Sequence, residues 1–143
     1  MTIERADHAR ERGIALVYVG IFLVPLLLCT GLAVDLGRGY LVRATLAKAV
    51  DAAALAAARN ITGDPSQAQA KSVAENIFNV NFPPGFLGVS PSRPAINFTM
   101  GPDGSHVVNV TSDATLPTTF MRVARVDSLT VAAAAWPSRR PPP

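Results

Sequence analysis

The chain has 143 residues, about one domain, with a formal charge of +3, two histidines and one cysteine. No dense Lys/Arg block with interleaved aromatics is present, which removes the usual footprint of a nucleic-acid binder. The lone Cys29 excludes an intrachain disulfide and a cysteine-based metal site, and its place in an apolar run makes it a small hydrophobe.

In chain order, residues 1–12 form a polar tail that sets Arg5, Arg10 and Arg12 against Glu4, Asp7 and Glu11. The tail is too short to fold alone and is read as cytoplasmic. Gly13 to Val34 then carries no charged residue. Roughly 22 residues at 1.5 Å each cover about 33 Å, enough to cross a hydrocarbon core, so 13–34 is predicted to be a transmembrane helix. Pro25 falls mid-span and should kink it, a substitution that membrane helices tolerate.

A cleavable secretory signal is the rival, because Gly31-Leu32-Ala33 fits a small-x-small cleavage site after Ala33. The apolar core is longer than such signals use, which favours an uncleaved or N-terminally trimmed anchor over a small binding module released by signal peptidase. Leu26-Leu27-Leu28-Cys29 resembles a lipoprotein box, but Leu28 stands where a small residue is needed. Three arginines precede the span while Arg38 and Arg43 follow it, a bias toward an inside N-terminus that the short tail and larger C-terminal part also fit.

Residues 35–60 continue the helix on the water side. Val42, Leu46, Ala49, Val50, Ala53 and Ala57 recur at steps of three and four, while Lys48, Asp51 and Arg59 gather elsewhere. That small-residue face is read as a packing surface for the chain's own sheet, ahead of a helix–helix interface with a partner. Asp35 is expected to act as a polar anchor at the membrane interface, and Asp51 to pair with Lys48 or the sheet. Gly31, Gly37 and Gly39 predict a soft joint over 31–39.

A small α+β module is predicted over 61–137. Gly63 ends the first helix, and Asp64-Pro65 with Gln67 starts a second with N-cap chemistry, burying Ala70, Val73, Ala74 and Ile77 and ending near Asn79. The loop NFPPGFLGVSPSRP is held irregular by its Pro and Gly. From Ala95 the apolar period becomes two. Strands on either side of Gly101-Pro102-Asp103-Gly104 form a hairpin. Leu116 to Met121 should begin a short helix with Phe120 and Val123 inward, and Ser128 to Trp136 a third strand. The Pro-rich tail 138–143 is read as disordered.

No catalytic constellation is visible, and neither cofactor nor small-molecule substrate is predicted. Asp35 and Asp51 are about 24 Å apart along a helix, too far to share a proton or a metal. His8 lies in the tail, and His106 reads as a strand-face residue rather than a general base.

Residues 13–60 resemble the N-terminal segment of TadE/TadG-like proteins of the bacterial tight-adherence (Flp) pilus system. The residues carrying the resemblance are Gly13, Pro25-Leu26-Leu27, Gly31-Leu32-Ala33-Val34-Asp35 and Asp51-Ala52-Ala53-Ala54-Leu55-Ala56. Pro117-Thr118-Thr119-Phe120 and the final Ala-rich strand are similar to the family's C-terminal part. The resemblance implies a single-pass inner-membrane protein with its C-terminal part outside the cytoplasm. It also implies a pilin-like plan, a long helix packed on a small antiparallel sheet, with lipid and other pilus-assembly proteins or pilins as partners. Gly13 is the position at which a processed relative would be cleaved. Processed pseudopilins carry a glutamate five residues beyond the cleavage glycine, and Tyr18 stands there instead. The chain is therefore closer to the TadG-type anchor than to a minor pseudopilin that enters the filament.

Overall fold

A computed structural model describes residues 4–61, 67–102 and 105–139, and its fold is α+β. One helix, α1 (Glu4–Asn60), runs for 57 residues, about 86 Å at 1.5 Å per residue. It is followed by α2 (Gln67–Asn81) and four strands, β1 (Ala95–Met100), β2 (His106–Pro117), β3 (Ser128–Ala135) and β4 (Ser138–Arg139). The helix begins in the polar segment, so residues 4–12 are not a separate tail but its first turns. It also passes unbroken through Pro25 and through 31–39, where a soft joint was expected. Two glycines of that stretch, Gly31 and Gly39, are buried, and at Gly31 the close approach of Phe120 leaves no room for a side chain.

Long β2 organises the sheet. β1 pairs with its first half in the hairpin register Ala95↔Thr111 to Met100↔His106, and Gly101 N–H closes the turn on Ser105 O at 2.8 Å. Asp103 and Gly104 of that turn lie outside the described residues, as do Gly63, Asp64 and Pro65 before α2. β3 covers the second half of β2 on the opposite edge, from Val110↔Ala135 to Pro117↔Ser128. Beyond it Ser138 and Arg139 pair with Val107 and His106 in continuation of the same register, so this part of the tail is a strand rather than disordered. Pro137, which has no N–H to give the ladder, separates the two pieces. Where β1 stops short, Pro91 and Ser92 lie against β2 instead: Ser92 N–H donates to Asp113 O at 2.7 Å, and Ser112 Oγ to Ser92 O at 2.9 Å.

Val108, Val110, Ser112, Ala114, Leu116 and Thr118 all point inward along β2 and beyond its end, the period-two signature of a strand with one covered face. That face meets α1, which also packs against α2. Alanines on both helices (Ala49, Ala53, Ala54 and Ala57 on α1, Ala70 and Ala74 on α2) supply the buried surface, so the backbones approach closely. Phe78 and Phe82 add the bulk. Their rings stack at 6.4 Å, and Phe86 meets Phe82 edge-on at 5.7 Å. The expected stripe on α2 needs correction here, since Val73 and Ile77 are half-buried while Phe78 is covered. Both helices end alike, with Asn60 and Asn81 each donating a side-chain N–H at 2.8 Å to the carbonyl four residues back.

Candidate functional site

The two halves of α1 have opposite surroundings. From Ile14 to Leu28 the large apolar side chains are exposed, and the most apolar 18-residue window has mean hydropathy 2.4 with none of it buried. This helix is long and apolar enough to cross a membrane. Burial then starts at Gly31 and continues through Asp35, Gly39, Val42, Leu46, Ala49, Val50, Ala53, Ala54, Ala57 and Ala58. The packed stripe therefore begins inside the uncharged run, one turn before its end.

Where the stripe begins, α1 meets the loop that joins β2 to β3. The loop's ends are tied together, Thr118 N–H to Asp127 O at 3.1 Å and Thr118 Oγ1 to Val126 O. Its tip is a short 3-10 turn, Met121–Ala124, closed by Arg125 in the left-handed region at φ 62°. The amides opening this turn face α1, and Asp35 receives them. Its Oδ2 accepts N–H bonds from Phe120 and Met121, both at 2.8 Å, and Thr119 N–H spans the two carboxylate oxygens at 3.1 and 3.2 Å. Asp35 is only 1 % exposed, so these bonds replace the water that the carboxylate gives up.

Hydrogen bonding by the Met121 amide is the chief cause holding the Asp35 carboxyl below its ordinary value, aided by Thr119, Phe120 and the charge of Arg38 against the opposing effect of burial. Arg38, one turn along, reaches Thr119 Oγ1 and Leu87 O at 3.1 Å each, which joins the loop after α2 to the same junction. Gly31 completes it from below. A Cβ built there would come within 2.6 Å of Phe120 Cβ and Cγ, so only glycine admits the Phe120 side chain at this height.

Three sequence expectations change here. Leu116 and Pro117 belong to β2 rather than to a helix start, Val123 points outward at 75 % exposed, and Phe120 lies over Gly31 of α1 while remaining 48 % exposed. The turn has four residues, none of them buried, so it offers no inward apolar face; its Met121 amide goes to Asp35 and its Val123 amide to Phe120 O at 3.1 Å. Asp35, expected as an interfacial anchor, is instead a buried internal acceptor. Of the other residues singled out on α1, Val42, Leu46, Ala49, Ala53 and Ala57 are fully buried within this chain, whereas Asp51 is exposed. Gly13 is an exposed helical residue with nothing within 4 Å of a would-be Cβ. Among the described residues no three His, Cys, Asp or Glu side chains converge as metal ligands.

Residues 13–60 fit the model of a family described as "Putative Flp pilus-assembly TadE/G-like". The match spans about a third of the chain, taking in the exposed apolar half of α1, Asp35 and the buried alanine stripe. It supports a pilus-related role, within a family of structural and assembly components. No curated protein and no solved structure matches the chain.

Proposed function

We propose that this chain, with its TadE/G-like helix as premise, is a membrane-anchored, minor pilin-like or assembly component of a tight-adherence pilus, structural rather than catalytic. Residues 13–34 sit in the inner membrane, the N-terminus is cytoplasmic, and the module after Asp35 stands outside the cytoplasm. Gly13 and Ala33 stay uncleaved. The partners are membrane lipid and other membrane proteins or pilins of the assembly machinery.

The observation that carries this reading is the division of α1. One continuous helix leaves an entire apolar segment bare up to Leu28 and then buries a continuous stripe from Gly31 onward. Uncovered apolar surface of this size is unfavourable in water by roughly 25 cal/mol per Å², and lipid removes that cost. Cleavage after Ala33 fits the geometry poorly, because it would discard Gly31 from beneath Phe120. Entry into a filament has no carboxylate in the span to set register against a neighbouring subunit's amine, as Tyr18 stands in that place.

Alkaline extraction of membranes from cells making the full chain tests the proposal. The protein should stay with the membrane pellet, and protease added outside spheroplasts should digest the module while leaving a protected N-terminal fragment. Recovery in the soluble fraction, or a fully protected module, would contradict it.

A further inference from the structure

The loop tip carries more apolar surface than its own fold uses. Phe120, Met121, Val123 and Ala124 share with Leu28 and Leu32 an open cavity of about 310 Å³ on the side of α1. Leu28 and Leu32 both belong to the uncharged run. Leu28 lies six residues before Val34, about 9 Å along the helix axis. An element clamped beside Leu28 and Leu32 therefore stands at or below the level where the run ends. Asp35 and Gly31 fix it there, so it cannot swing up toward the sheet without breaking three amide bonds.

We infer that the turn Phe120–Arg125 is a membrane foot. It sinks Phe120 and Val123 into the leaflet that faces the module, with lipid acyl chains filling the cavity beside Leu28 and Leu32. This rests on the anchor reading above. Two features on the turn fit lipid. Its outward side chains are apolar although they project from a polar module, and Arg122 and Arg125 flank them, both exposed. Long basic side chains of this kind keep their stems in the apolar layer and their charges among phosphate headgroups. Arg122 Nε lies 3.8 Å from Asp127 Oδ1, so part of its charge is answered within the loop. The occupant is continuous with the one already assigned to α1: the cavity opens onto the same bare surface as Leu28. The foot also gives Asp35 a purpose beyond capping, since it sets the height and rotation of the module over the membrane.

The test uses the full chain in vesicles of phosphatidylethanolamine and phosphatidylglycerol, with Trp136→Phe as background and brominated lipids as depth-resolved quenchers. Three separate variants, Val19→Trp, Val123→Trp and Leu55→Trp, place one indole each in the N-terminal half of the span, at the foot and about 30 Å beyond Asp35. All three sites are exposed, so none disturbs a core. The inference predicts that shallow bromines remove most of the emission of Val123→Trp, that deep bromines quench Val19→Trp, and that Leu55→Trp keeps its emission. Quenching of Val19→Trp with none at Val123→Trp would overturn the foot and leave the anchor standing. Absence of quenching at Val19→Trp would overturn the anchor itself. A blue-shifted, unquenched Val123→Trp whose spectrum depends on protein concentration would mean that a second chain, not lipid, covers the cavity, and would also overturn the inference.

Discussion

Met121 N–H donates to Asp35 Oδ2 at 2.8 Å across 86 positions of sequence, and this bond, with its two neighbours from Thr119 and Phe120, fastens the far end of the module to the helix where it leaves the apolar run. Arg38, through Thr119 Oγ1 and Leu87 O, the contact of Phe120 with Gly31, and the buried stripe higher up also join the helix to the module. The junction makes the base of the module one piece with its anchor.

Removing the acceptor is the direct probe of that junction. Asp35→Ala would strand three amides in a site that water does not reach, and Asp35→Asn would keep one oxygen acceptor but lose the charge. Melting of the full chain in nanodiscs should fall in the order wild type, Asp35→Asn, Asp35→Ala, with new proteolytic cleavage within 119–127 for the alanine variant. Melting unchanged by Asp35→Ala would show that the bonds contribute nothing.

Acid should act on the same group. The folded carboxyl lies below its ordinary value of 3.8, so the folded state favours the ionised form. Its contribution is fully present above about pH 3.8 and is lost as pH falls through the lowered folded value. The acid side of a plot of melting temperature against pH should therefore be steeper for the wild type than for Asp35→Asn, with the two curves converging at the lowest pH. Parallel curves would sink the assignment.

The glycines of 31–39 separate into three cases. Gly31→Ala forces a Cβ into Phe120 and should destabilise the junction by about 1–3 kcal/mol, an overpacking cost partly offset by better helix propensity. Gly37→Ala meets nothing within 4 Å and should stabilise by up to ~1 kcal/mol, while Gly39→Ala makes only ordinary contact with Leu129 at 3.8 Å and should be close to neutral. Phe120→Ala in the Gly31→Ala background removes the Cγ and Cδ1 contacts but keeps the Cβ one, so it should relieve the clash in part and give a non-additive double-mutant cycle. Additive energies would mean that the two side chains do not meet.

Ala53 lies at the centre of the buried stripe with no exposed surface. Ala53→Arg should cost about 3 kcal/mol or more, because a guanidinium there has neither water nor a counter-charge. Leu55→Arg, two residues on and exposed, should change melting by less than about 0.5 kcal/mol. Equal effects would place the stripe outside the core.

Local pattern made most of the architecture readable in advance, and distance in sequence hid the site. The uncharged run, the i, i+3, i+4 stripe of α1, the hairpin over 95–111 and the Ala-rich third strand each leave a signal in one continuous stretch of sequence, and each is present in the structure. The stripe on α2 differs from its expected one because its covered residues, Ala70, Ala74 and Phe78, form a pure i, i+4 row, which runs obliquely across a helix rather than along the mixed three-and-four face. Asp35 and the Thr118-Thr119-Phe120 segment were both singled out, yet no periodicity links positions more than 80 apart. A carboxylate immediately after an apolar run was a signal that a buried acceptor was needed, but its donors are backbone amides, which leave no mark on sequence. Phe120 and Val123 are apolar, which in sequence reads as inward, yet the structure leaves them 48 % and 75 % exposed.

The most direct measurement of the central claim is the intact mass of the mature protein isolated from its own membranes, for the wild type and for a Gly13→Leu variant. An uncleaved anchor predicts a wild-type chain that still contains residues 1–12 apart from initiator processing, and a variant that differs only by the mass of the substitution. A mature chain beginning at Ile14, lost in the variant, would make this a processed pilin, and one beginning at Val34 would remove the anchor altogether.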